Sequence, residues 1–75
     1  DPTHAEYYYK RGLLLEKTGD TKKASESFAT AIEFDGKHAG AYKHMGTVMH
    51  SLGKGDLASE YTKKGEELSP PEEKK

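Results

Sequence analysis

The sequence contains no cysteine, which excludes disulfide staples, thiolate catalysis and cysteine-ligated zinc or iron–sulfur sites together. The same absence fits a reducing compartment, so a cytoplasmic location is the expectation. The longest apolar run, Leu13 to Leu15, falls far short of the ~20 residues that span a bilayer. No basic stretch followed by an apolar segment opens the chain. Neither sign of charge dominates: 12 basic and 13 acidic side chains are interspersed, for a formal net charge of -1. A broad field that would draw nucleic acid or anionic lipid is therefore missing. Neither membrane insertion nor a nucleic-acid partner is expected, and a core of 75 residues must rely on regular helix packing or on a neighbour for stability.

What the chain does have is internal repetition. Displaced by 34 positions against itself, it matches identically at Asp1/Asp35, His4/His38, Ala5/Ala39, Tyr8/Tyr42, Gly12/Gly46, Gly19/Gly53, Ala24/Ala58, Ser25/Ser59, Glu26/Glu60 and Glu33/Glu67. Leu14/Val48, Leu15/Met49 and Phe34/Leu68 are conservative matches. A fixed period of this length marks stacked supersecondary units rather than one irregular core.

Each unit reads as two helices. Tyr8, Gly12 and Leu15 in the first unit, and Tyr42, Gly46 and Met49 in the second, fall at the i, i+4, i+7 spacing of an apolar helix stripe. Ala24, Phe28, Ala31 and Ile32 form a second stripe, and Leu57, Tyr61 and Leu68 a third. Breaks at Thr18-Gly19-Asp20, Asp35-Gly36-Lys37, Gly53-Lys54-Gly55-Asp56 and Ser69-Pro70-Pro71 carry turn chemistry. Helices are expected over 4–17, 21–34, 38–51 and 56–68, the first opened by a Thr3/Glu6 capping box. Glu6/Lys10, Glu33/Lys37 and Glu60/Lys64 have the favourable order for i, i+4 pairs. Glycine inside a helix costs about 0.5–1 kcal/mol relative to alanine. The return of Gly12 at Gly46 therefore points to close helix packing.

This pattern resembles the tetratricopeptide repeat family. The aromatic, small and large residues of that family's first helix fit Tyr8-Gly12-Leu15 and Tyr42-Gly46-Met49. Its tight turn fits Gly19-Asp20 and Gly53, and its second helix fits Ala24/Ala58, Phe28 and Ala31. Arg11, Gly36, Thr62 and Gly65 depart from it, which makes the last helix the weakest match. The resemblance implies an all-α fold: two tandem helix-turn-helix repeats, four antiparallel helices in all, forming a right-handed α-solenoid segment. It divides the chain into the end of an upstream repeat at 1–4, a first repeat at 5–38, an imperfect second repeat at 39–70 and a disordered tail at 71–75. Asp1-Pro2 stands where the family closes a repeat, so the expectation is a piece of a longer array.

Catalytic chemistry finds no support. There is no Gly-x-Ser-x-Gly elbow, phosphate loop or dinucleotide fingerprint, and Gly53-Lys54-Gly55-Asp56 reads as a turn between helices. His38, His44 and His50 are six residues apart, a spacing that cannot align them on one helix face. Tyr7-Tyr8-Tyr9 fan apart on a helix: Tyr8 toward the core, Tyr7 toward a neighbouring layer or the upstream repeat, and Tyr9 toward the groove. Neither an enzyme nor any cofactor or metal is expected.

The resemblance instead implies a concave surface lined by the first helices, where a peptide or helix of a partner protein binds. The residues on that face are Glu6, Tyr9, Lys10, Leu13 and Glu16 of one helix and Lys43, His44, Thr47 and His50 of the other. Their chemistry suits a peptide with an acidic and an apolar contact. A carboxylate clamp of the kind some family members carry is not expected, because only Lys43 matches it and the chain has no asparagine. The alternatives are a self-associating module, dimerising through uncapped ends, and a structural spacer within a larger protein.

Overall fold

A computed structural model describes residues 2–69. Four helices follow one another: α1 (Pro2–Lys17), α2 (Thr21–Phe34), α3 (Ala39–Ser51) and α4 (Gly55–Leu68). Among the described residues there is no strand. The tail at 71–75 and the Asp1 half of the Asp1-Pro2 corner lie outside them.

One correction concerns the start of α1. The helix begins at Pro2, so Thr3 lies inside it and cannot act as the N-cap of a Thr3/Glu6 box. Proline suits this first position, where a backbone N–H has no intrahelical partner in any case.

The turn inside each repeat is the same motif twice. After α1, Gly19 N–H donates to Glu16 O at 3.1 Å and Asp20 N–H to Leu15 O at 2.9 Å. One period later Gly53 N–H donates to His50 O at 3.0 Å and Lys54 N–H to Met49 O at 2.8 Å. These paired bonds close a Schellman C-cap, which needs a left-handed residue. Gly19 at φ +89° and Gly53 at φ +78° supply it. Three-residue connections of this kind turn the chain back on itself and make each pair antiparallel.

The link between repeats is built differently. Asp35 N–H closes α2 on Ala31 O at 2.9 Å, and the Asp35 carboxylate accepts from Lys37 N–H at 3.0 Å. Tyr42 Oη then donates back to Gly36 O at 3.1 Å. The extended backbone of Asp35 thus delivers α3 onto α2.

Packing follows the small-residue seams. A Cβ at Gly12 would stand 2.6 Å from the Phe28 ring, so the glycine allows α2 to press its fully buried phenylalanine against α1. Gly46 plays the same part toward Thr62 and Ala58, and Gly65 lets α4 approach Ala39 and Lys43 of α3. Ala24, Phe28, Met45, Val48, Met49 and Ala58 form one core that joins the repeats through α2 and α3. Tyr8, expected in the core, is half-buried at its edge, stacked on Phe34 at 5.8 Å. The two hairpins stack through α2 and α3 as an all-helical repeat segment.

Candidate partner-binding surface

The candidate surface lies where α1 and α3 run side by side. Tyr9 is its centre. The ring is half-buried, with centroids 6.0 Å from Phe28, 4.5 Å from His38 and 5.8 Å from His44. Its hydroxyl lies over Gly40, where a Cβ would come within 2.8 Å of Tyr9 Oη. Leu13, one turn on, is half-buried and packs against the core.

Two carboxylate–imidazole contacts flank this aromatic centre and tie α1 to α3 and its N-cap residue. Glu6 Oε1 lies 2.7 Å from His38 Nε2, and Glu16 Oε1 lies 3.0 Å from His44 Nδ1. The His38 tautomer follows from its other bond. Nδ1 accepts Ala41 N–H at 3.0 Å as the N-cap of α3, so in the neutral ring Nε2 carries the proton and donates to Glu6. His44 stacks on Phe28 at 5.6 Å, which holds it beside Tyr9. Burial, and then the nearby Glu6 and Glu16 carboxylates, raise the Tyr9 pKa above the ordinary tyrosine value. All three influences disfavour the phenolate.

The nine residues read from the sequence divide into two groups. Glu6, Tyr9, Leu13, Glu16 and His44 come together along the α1–α3 line through the contacts given above, and Lys10 is exposed on the same helix. The other three turn toward α4. The stem of Lys43 lies against Gly65, and Thr47 and His50 line an open depression between α3 and α4 with Ala58, Thr62, Lys63 and Glu66.

His38 and Gly40 are the residues that sequence reasoning missed. The six-residue histidine spacing rules out a shared face only within one helix. His38 precedes α3, with φ -78° and ψ 95°, and so reaches Tyr9 from the same side as His44. Histidine is not one of the usual N-cap residues, so no sequence signal marked His38 for this place. For Gly40, next to the recurrent Ala5/Ala39, no signal preceded the structure. Among the described residues no group of three or more His, Cys, Asp or Glu side chains is placed to hold a metal ion. None of the described helices is long and apolar enough to cross a membrane.

Comparison with known proteins follows the same division of the chain. The family described as tetratricopeptide repeat matches residues 5–38. Over 56 residues the chain is 38% identical to an uncharacterized protein of Methanocaldococcus jannaschii, an overlap that covers 75% of this chain and 65% of that protein. The chain therefore spans 65% of the length of this curated relative.

Proposed function

We propose, from a chain whose residues 5–38 are a tetratricopeptide repeat within a four-helix repeat fold, that the α1–α3 surface binds a segment of a partner protein. Tetratricopeptide repeats serve generally as protein–protein interaction scaffolds and are typically non-catalytic, which sets the class of function. The observation that carries the finer reading is the Tyr9 centre. An aromatic ring is held rigid by Phe28, His38 and His44 and remains partly exposed with Leu13 beside it. Immobilised aromatic and aliphatic side chains are the usual anchors of a peptide contact, because little side-chain entropy is lost on binding.

Charge gives the preference. The two carboxylates of the surface, Glu6 and Glu16, face His38 and His44, whereas Lys10 is exposed and Lys43 stands at the α4 edge. A peptide with one apolar side chain for Tyr9 and Leu13 and one acidic side chain for the lysines fits best. Selection from a displayed peptide library against the 75-residue chain tests this. Enriched sequences of that composition that lose binding to Tyr9→Ala are expected. Failure to enrich any sequence, or enrichment that survives Tyr9→Ala and Lys10→Ala, contradicts the reading and favours a spacer.

A further inference from the structure

His38 and His44 each meet a carboxylate of α1, yet their rings are held in opposite forms. His38 Nδ1 accepts Ala41 N–H at the start of α3, so its proton sits on Nε2, toward Glu6. At His44 it is Nδ1 that lies 3.0 Å from Glu16 Oε1. A carboxylate oxygen can only accept, so the neutral His44 ring carries its proton on Nδ1 and a bare lone pair on Nε2.

That lone pair is open to a ligand. Among the described residues no buried side-chain nitrogen or oxygen lacks a hydrogen-bond partner. His44 Nε2 makes no hydrogen bond to them, and the side chain is 38% exposed, so the atom reaches solvent. It does so beside Tyr9, whose ring meets that of His44 nearly edge-on.

The two rings therefore respond differently to acid over about pH 8 to 5, where imidazoles change charge. A second proton on His38 displaces the Ala41 N–H and costs α3 its cap. On His44 the second proton goes to Nε2 and breaks no bond. It turns an accessible acceptor into a donor, and it balances the negative charge of Glu16. Against this ring stand Glu16 and Tyr9 of α1 and the apolar Phe28 of α2, while α4 packs on α3 at Ala39, Lys43 and Gly46. Tyr9 keeps its proton throughout, its pKa being raised above the ordinary tyrosine value. Of the two histidines, only His44 can change charge without losing a bond.

We infer that His44 sets the specificity of the α1–α3 surface according to pH. Neutral, it accepts a hydrogen bond from an amide or hydroxyl of the bound segment; protonated, it takes a carboxylate. This role presupposes that the surface holds a partner segment. Lys10 draws an acidic side chain at either pH, and Glu16 opposes it until His44 takes up its proton.

The probe is a peptide with one glutamate, selected from a displayed library on the 75-residue chain at pH 6, together with its copy carrying glutamine in that place. The ratio of the two affinities removes pH effects common to both, and the glutamate is ionised at pH 6 and at pH 8. From pH 8 to pH 6 the preference for glutamate is expected to rise about fivefold and to stay flat in His44→Gln. Circular dichroism checks that the variant folds; where it does not, the wild-type imidazole 15N shifts decide. At pH 8 those shifts are expected to place the proton on Nδ1 of His44 and on Nε2 of His38. A proton on Nε2 of the neutral His44 ring, a preference that does not move with pH, or one that still moves in His44→Gln overturns the inference and leaves the peptide site standing. Failure to select any peptide overturns both.

Discussion

The two repeats reach the same backbone with different interiors. In the first, Phe28 is wholly buried against Gly12. In the second, an exposed Thr62 stands at the same place beside Gly46. At the turns, Asp20 accepts Lys23 N–H at 3.4 Å to cap α2, while Lys54 makes no side-chain cap for α4. The difference teaches that a repeat's place in the stack decides which positions must be apolar. Among the described residues the first repeat is covered by α3, whereas no further helix covers α4. The helix-forming pattern and the Schellman turns are the shared minimum.

The largest effect should come from removing the residue that the second repeat lacks. Phe28→Ala is expected to cost about 3–5 kcal/mol, enough to unfold so small a domain, whereas Thr62→Ala should stay within about 0.5 kcal/mol. Urea denaturation followed by circular dichroism measures both, and similar costs would erase the asymmetry between repeats. Next in size is the seam. Gly12→Leu is expected to lose about 1–3 kcal/mol or more through overpacking onto Phe28, while Gly55→Ala, with nothing within 4 Å of the added Cβ, should be neutral or mildly stabilising. Equal melting temperatures for the two variants would refute the assignment of Gly12 to a packing seam.

Smaller effects sharpen the comparison at the turns. Asp20→Ala should lose about 1 kcal/mol, and Lys54→Asp should gain roughly 0.5–1 kcal/mol by giving α4 the cap that α2 already has. Thermal melts of both variants check the pair. The smallest effect is alkaline. With the Tyr9 pKa raised in the folded state, the unfolded chain releases this proton first, so stability is intact below the ordinary tyrosine pKa of about 10 and falls as pH rises through the folded value. Tyr9→Phe should flatten that decline, as read from denaturant midpoints on either side of pH 10.

Much of the architecture was legible because its signals are local and periodic. Gly19 and Gly53 mark turns that only a left-handed residue closes, and Gly12 and Gly46 mark helix approach. What the sequence hid depends on register between repeats. Nothing in the spacing of Glu6 and His38 says that their side chains meet at 2.7 Å, because that contact requires α3 to be laid beside α1 by the Asp35–His38 link. Glu6 accordingly faces His38 rather than the Lys10 four residues along its own helix. The same layering separates Lys43, Thr47 and His50 from the Tyr9 cluster, although a helical wheel places all of them on related faces. Tyr8 missed the core for a similar reason: Phe34 stands at the α2 end and holds the ring at the edge.

The central claim is that the surface joining α1 to α3 is the one that meets a partner. The most direct test is a titration of the 15N-labelled chain with a library-selected peptide, followed by backbone amide shifts. The account expects the perturbations to gather on Glu6, Tyr9, Lys10, Leu13, Glu16 and His44 and to vanish with Tyr9→Ala. Perturbations confined to the α3–α4 depression or to the outer face of α2, with the Tyr9 neighbourhood unmoved, would contradict it.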